Sequence, residues 1–252
     1  MRHTAIGDFS VPEGDLTVMP AALFVISEEG YWGEECASPL DELSNEGFAI
    51  DVATPSGSKP VIDKHSLDSD SAFVTEEAAA LAADLHESHE GIQNPEPIAN
   101  VDAATYDVVV FPGGHGTMWD INTDSHARGL LRDAVEGDDG KALVVCHAAG
   151  LLAFTRDSDG NYLVANRDVT GFPNAWEEDL VDENDRLPGG RKLPYWVEDE
   201  VRAAGGKWDG EPDAAEKVLV AGDLITARGP HSSSAAADTL LSELGGKHSA
   251  DE

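Results

Sequence analysis

The chain alternates short apolar runs with segments whose apolar residues recur at helical spacing. AALFVIS, residues 21–27, is a continuous apolar run that stops at SEEGYWG, the pattern of a strand buried on both faces. EECASPLDELSNEGF then places Cys36, Leu40 and Leu43 on one helical face and ends near Gly47. FAIDVATP predicts a second strand, so the three segments form a βαβ unit with a right-handed crossover.

A polar stretch, PSGSKPVIDKHSLDSDS, leads to a predicted helix EEAAALAADLHES and a second loop, GIQNPEPIANVDAA. Loops of this length are suited to covering a site. YDVVVFPGG reads as a strand running into glycines, and HARGLLRDAVEG as the next helix. ALVVCHAAGLLAF joins a strand to a helix with no turn residue between them. Beyond it lie DVTGFPNAWEEDL, a helical LPYWVEDEVRAAGG, a strand pair in KVLVAGDLITAR and a final helix SSSAAADTLLSELGG. Strands alternating with helices predict an α/β fold: a doubly wound, mainly parallel sheet with helices on both faces. The expected organisation is one domain over residues 17–252, with residues 1–16 an acidic extension on its outside.

Charge changes the list of partners. Sixteen basic residues stand against 49 acidic ones, a net charge of −33 spread along the whole length. A surface this acidic repels phosphate backbones and anionic lipid, which argues against nucleic-acid and membrane partners. It predicts a halophilic protein, whose surroundings screen the self-repulsion with concentrated cations. No apolar run reaches 18 residues, and MRHTAIGDFSVPEGD places acids where a signal peptide needs its apolar stretch, so a soluble, cytoplasmic protein is expected. The two cysteines, Cys36 and Cys146, have no metal-site spacing and imply no disulfide in a reducing compartment.

In an open parallel sheet, ligands bind beyond the carboxyl ends of the strands. Three such ends carry polar residues: Glu34 and Glu35, then Gly113 to Gly116 with His115, then Cys146 and His147. Cys146 sits at the end of a buried strand and the entrance to a helix, the placement of a nucleophile elbow, although the glycines of GxSxG are absent. The helix start is expected to lower the thiol's pKa and favour thiolate, with His147 as proton carrier. The Gly114 amide, with that of Cys146 or His147, is placed to stabilise an oxyanion, and a plain tight turn accounts for the GlyGly pair equally well. A carboxyl beside the thiol is useful if burial keeps it protonated. Cys36 is expected to serve packing.

Six ordered segments, GYWGEECASPLDEL, ATPSGSKPVID, VVVFPGGHGTMWD, VVCHAAGLLAF, VTGFPNAWEE and GDLITARGPHSSS, resemble the DJ-1/PfpI superfamily, and within it the Hsp31-like, glyoxalase III-like branch. The resemblance implies a flavodoxin-like fold of the class I glutamine amidotransferase type, with a helical cap and a homodimeric assembly. It implies Cys146 as nucleophile, His147 as its partner, Glu35 as the acid touching the thiol, and Gly114 with His115 in the oxyanion and substrate-binding group. The third triad member falls on Glu177 by one subgroup's pattern, whereas Asn174 stands where another has Asp. Arg228 stands where relatives often carry Gln, with a role in substrate preference or in contacting a surface acid. The implied activity is conversion of a small aldehyde, methylglyoxal, to D-lactate without glutathione, metal or other cofactor. The alternatives are deglycation, a PfpI-type cysteine hydrolase or peptidase, and a holdase chaperone.

Overall fold

The apolar runs form strands because both of their faces are buried. In β1 (Ala21–Val25), Leu23 and Val25 enter one core while Ala22 and Phe24 enter the other, the period-2 alternation of a strand. A computed structural model describes residues 19–138, 140–180, 187–211 and 214–248; the predicted extension over residues 1–16 lies outside the described residues. After β1 come α1 (Gly33–Asn45), β2 (Ala49–Thr54), α2 (Glu76–Ser88), α3 (Glu90–Gln93) and β3 (Glu96–Pro97). The middle of the chain holds β4 (Val108–Phe111), α4 (Thr117–Asp120), α5 (Ser125–Glu136), β5 (Lys141–Val145) and α6 (Gly150–Phe154). The last part holds β6 (Asp168–Val169), α7 (Asn174–Leu180), α8 (Val197–Ala203), β7 (Lys207–Trp208), β8 (Val218–Ala221), β9 (Leu224–Ala227) and α9 (Ser233–His248).

The main sheet has the order β3-β2-β1-β4-β5-β9-β8, parallel except for the β8–β9 pair. This is the expected doubly wound arrangement. One core packs α5, α6 and α8 against the sheet through Leu130, Leu131, Leu151, Leu152 and Val201. The other packs α1 and α9 through Cys36, Leu40, Leu43, Leu240 and Leu244. A fully buried leucine contributes about 1.5–3 kcal/mol, so these two layers hold the sheet rigid under the site. Cys36 lies in the second core, as its helical face predicted.

Two local expectations change. The helix expected from Leu193 begins only at Val197, with Trp196 in extended conformation before it; Pro194 accounts for the exclusion of Leu193. A small parallel pair, β6 with β7, joins Asp168–Val169 to Lys207–Trp208 and was not legible in two-residue strands. The long polar stretch after β2 becomes a cap fastened to the start of α1. Tyr31 exchanges backbone hydrogen bonds with Val61 and Asp63, its hydroxyl meets His86 Nδ1 of α2 at 2.8 Å, and the Gly33 N–H donates to Ser66 Oγ at 3.0 Å.

Arg228, just after β9, is fully buried, with its guanidinium carbon 5.8 Å from the centroid of the Trp176 ring. Its guanidinium donates to the Asp209 carbonyl at 2.9 Å and Asp209 Oδ1 at 3.1 Å, and also to the carbonyls of Glu211 and Ala214. Of the two roles expected for it, contact with a partly exposed acid is met by Asp209. Arg228→Leu removes a buried cation and strands these acceptors, so stability is expected to fall by about 3 kcal/mol. Urea unfolding at fixed salt checks this, and a loss no larger than that of a surface substitution contradicts the clamp.

Candidate active site

Three strand ends meet where the strand order reverses, between β1 and β4. From β1 the chain turns through Ser27 to Gly30 under the Asp120 carboxylate, which accepts from Ser27 Oγ at 3.0 Å and from the Glu28 and Glu29 N–H groups at 2.7 and 3.2 Å. Trp32 N–H donates to the Gly113 carbonyl at 3.0 Å, and Gly116 N–H donates to the Gly30 carbonyl at 3.0 Å, stitching this turn to the loop after β4. Helix α1 then begins, with acids in its first turn where the helix dipole favours them. Glu35 points inward and is fully buried. Pro39 lies inside the same helix and cannot donate to the Glu35 carbonyl.

Glu35 Oε2 accepts from the Gly113 N–H at 3.0 Å. Oε1 makes no hydrogen bond of ordinary geometry; the Cys146 thiol faces the carboxyl through a contact outside that geometry, which still couples the protonation of the two groups. Gly113 is what permits this approach. A Cβ there would lie 2.6 Å from both Cys146 Cβ and Glu35 Oε2.

Cys146 is the residue at which β5 becomes a helical turn, and its φ of 58° is in the left-handed region that residues with a Cβ rarely adopt. Such a conformation costs about 1–3 kcal/mol and persists where its surroundings over-determine it. Here the Cys146 carbonyl accepts from the Phe172 N–H at 3.3 Å, and the Asn122 side chain donates to the His147 carbonyl at 2.9 Å. The glycines missing from the elbow's own sequence are supplied by neighbouring segments: a Cβ at Gly171 would lie 2.9 Å from the Cys146 carbonyl oxygen.

His147 Nδ1 is 3.3 Å from Cys146 Sγ, and His147 Nε2 is 2.6 Å from Glu177 Oε2. A carboxylate only accepts, so Nε2–H donates to Glu177 and Nδ1 is left to receive the thiol proton. His115 Nε2 donates to the other Glu177 oxygen at 2.9 Å, with the two imidazoles 4.1 Å apart between centroids. His115 also lines the small cavity beside Cys146. Asn174 instead donates to Asp199 Oδ1 at 2.8 Å, facing α8, so Glu177 is the residue that meets His147. His115, His147 and Glu177 are also the one group among the described residues whose donor atoms, all within 4.8 Å of one another, could hold a metal ion. Those atoms are engaged with one another in the two hydrogen bonds above.

Burial dominates the electrostatics. It pushes Glu35 up to about 8 against the weaker lowering influence of Cys146 and the Gly113 amide. Burial, then the charge of Glu35 and its hydrogen bond, raise the Cys146 thiol well above its ordinary value, while the His147 and Gly114 amides pull it down. This corrects the expectation of a thiolate favoured by the helix start alone: at 2% exposure, desolvation outweighs two amide dipoles. The resting pair therefore holds its protons. Burial also acts to raise Glu177, but the charge of His147 and the hydrogen bonds from both histidines more than reverse it, holding this carboxyl below the usual range. Glu34, half-buried beside Glu35, is raised to about 7 by burial.

The site contains residues that sequence reasoning did not single out. Asn122 holds the turn, and Phe73, Phe172 and Trp176 form an aromatic wall over it. Phe73 falls in the four residues left unassigned between the polar stretch that ends at Ser71 and the helix that begins at Glu76; its isolated aromatic ring was the available signal.

The raised Glu35 pKa has a measurable consequence. Between about 4.5 and about 8 the folded protein keeps a proton on Glu35 that the unfolded chain releases, so this group's stabilising effect is lost as pH rises through that window. Glu35→Gln removes the dependence. The stability of wild type relative to Glu35→Gln, followed by urea unfolding, is expected to decline from pH 4.5 to above 8; a difference independent of pH contradicts a buried protonated carboxyl.

Comparison with known proteins agrees with the fold. A model of the DJ-1/PfpI family matches residues 21–243. The chain is 28% identical over 158 residues to a Schizosaccharomyces pombe protein described as a probable glutathione-independent glyoxalase, hsp3103; the match covers 61% of this chain and 59% of that protein. It is 24% identical over 221 residues to glyoxalase 3 of Candida albicans, covering 84% and 88% of the two chains. The crystal structure of glyoxalase III from Candida albicans shares the fold with a TM-score of 0.72 at 19% identity, over 89% of this chain and 97% of that one. From the family match over most of its length, the chain belongs to the DJ-1/PfpI family.

Proposed function

We propose that this protein is a cysteine enzyme acting on small reactive aldehydes, converting methylglyoxal to D-lactate without glutathione. The observation that carries the reading is the line Cys146 Sγ, His147 and Glu177, at 3.3 and 2.6 Å, closed on its far side by a protonated Glu35. A buried thiol that keeps its proton at rest needs a base in contact with it, and His147 Nδ1 is that base.

The thiol adds to the aldehyde carbon as His147 takes its proton, and Glu177 stabilises the imidazolium. The new alkoxide is held by the amides of Gly114 and His147, which in the resting site point at the sulfur. A proton then leaves the hemithioacetal carbon and one is delivered to the adjacent carbon, through an enediol, with Glu35 and His147 as the exchanging groups. The product is a lactoyl thioester on Cys146. Water cleaves it, returning the thiol and releasing lactate.

The size of the site supports a small substrate over a polypeptide. The cavity beside Cys146 is small and is walled by Trp32, Phe172, Leu180 and Pro230 as well as Phe73. An extended peptide needs an open groove at this place. No helix among the described residues is long and apolar enough to cross a membrane, consistent with a substrate met in water.

Cys146→Ala is expected to lower lactate formation from methylglyoxal by at least about a thousandfold, assayed without glutathione and in high salt to suit a charge of −33. Turnover that survives the substitution, or turnover of peptides in place of aldehydes, rules the mechanism out.

A further inference from the structure

The cavity beside Cys146 is narrow and bounded by side chains, so the residues that line it set the size of what can reach the thiol. Most of that lining is fastened. His115 and His147 are tied to Glu177, and Phe172 is buried and linked through its N–H to the Cys146 carbonyl. Trp32 is buried, and its N–H is bonded to the loop carrying Gly113.

Phe73 differs. It is half-buried and reaches the cavity from the cap between β2 and α2. Its backbone joins a local turn, Phe73 N–H to Ser71 Oγ at 3.3 Å and Val74 N–H to the Ser71 carbonyl at 3.3 Å, with the next side chain, Val74, buried. Its ring meets three others: Phe172 at 6.4 Å, Trp176 at 6.0 Å and the exposed His231 at 5.6 Å, nearly parallel. An apolar ring can leave such a cluster without stranding a polar group. The flanks of the cap are anchored by Tyr31 and Ser66, so the ring can swing while the cap stays docked.

We propose that Phe73 is the specificity-determining residue of the site. Its ring occupies the place taken by the substituent of a 2-oxoaldehyde and limits that substituent's size. With the aldehyde carbon at Cys146, the rest of the substrate extends toward Phe172 and Trp176. No lysine or arginine lines the cavity among the described residues; the Arg228 guanidinium, 5.8 Å from the Trp176 centroid, is engaged by Asp209 and backbone carbonyls, while Glu35 and Glu177 lie beside the cavity. The substrates selected are therefore uncharged 2-oxoaldehydes with an apolar substituent, in preference to 2-oxo acids. The choice of substrate class rests on the reaction proposed above; the control of size does not.

The test uses Phe73→Ala and Phe73→Trp in the full chain, with two readouts. In turnover, the ratio of kcat/KM for phenylglyoxal to that for methylglyoxal is expected to rise about tenfold or more in Phe73→Ala and to fall in Phe73→Trp. In alkylation without substrate, mass spectrometry follows labelling of Cys146 by iodoacetamide and by the bulkier N-phenylmaleimide. Phe73→Ala is expected to accelerate the bulky reagent about tenfold more than the small one, and Phe73→Trp to do the reverse. Equal changes for both reagents, or none, overturn the role of Phe73. A shifted alkylation ratio in a protein that turns over no aldehyde keeps Phe73 as the size filter and overturns the proposed reaction. If Phe73→Ala unfolds, the opposite shift expected of Phe73→Trp still decides the matter.

Discussion

Everything in the site hangs on the backbone turn at Cys146. A left-handed residue at the end of a central parallel strand throws its side chain out of the sheet and across the mouth of the neighbouring strand. That conformation is unfavourable for a cysteine, and it is held by contacts from segments far away in sequence. The loop after β4 contributes Gly113, with no side chain to collide with the thiol. The loop after β6 contributes Gly171 and the Phe172 amide, and the segment after α4 contributes Asn122. Because the same turn fixes His147 one residue later, thiol, imidazole and Glu177 come into line without further adjustment.

Burial then gives that geometry its chemical character. Two carboxyls stand within a few side chains of each other and titrate in opposite directions. Glu35 faces a thiol and an amide, too little to offset desolvation, and keeps its proton. Glu177 accepts from two histidines and gives its proton up. One site therefore contains an acid and a carboxylate at the same pH: Glu35 can give a proton, while Glu177 can stabilise a positive charge on His147. A site more open to water would lose this contrast, since hydration stabilises both carboxylates alike. The closed aromatic wall is thus tied to the electrostatics, and entry of substrate has to be reconciled with it.

Much of this was legible in the order of residues. Apolar runs marked β1, β4 and β5, and helical spacing marked α1, α2, α5 and α9, because these patterns reflect local burial that every folded state of the chain must satisfy. Cys146, His147 and the pair Glu34 and Glu35 stood out because they follow strand ends, and the family resemblance chose Glu35 of that pair. Short-range signals failed where the partner was distant: β6 and β7 are two-residue strands defined only by each other, and the helix expected from Leu193 yields to Pro194.

The sequence by itself determined the layers of the sheet, the place of the thiol and the acids available to it. Only the tertiary structure decided which acid meets His147, since Asn174 and Glu177 belong to one helix and the packing of α7 on α8 turns Asn174 toward Asp199. It decided that Arg228 is a clamp on Asp209, and that Phe73, from residues assigned to no element, lines the cavity beside the thiol. It also reversed the expected ionisation of Cys146. Helix-start amides are local and can be read from spacing, whereas desolvation is the sum of everything packed around an atom, and that sum exists only once the chain is folded.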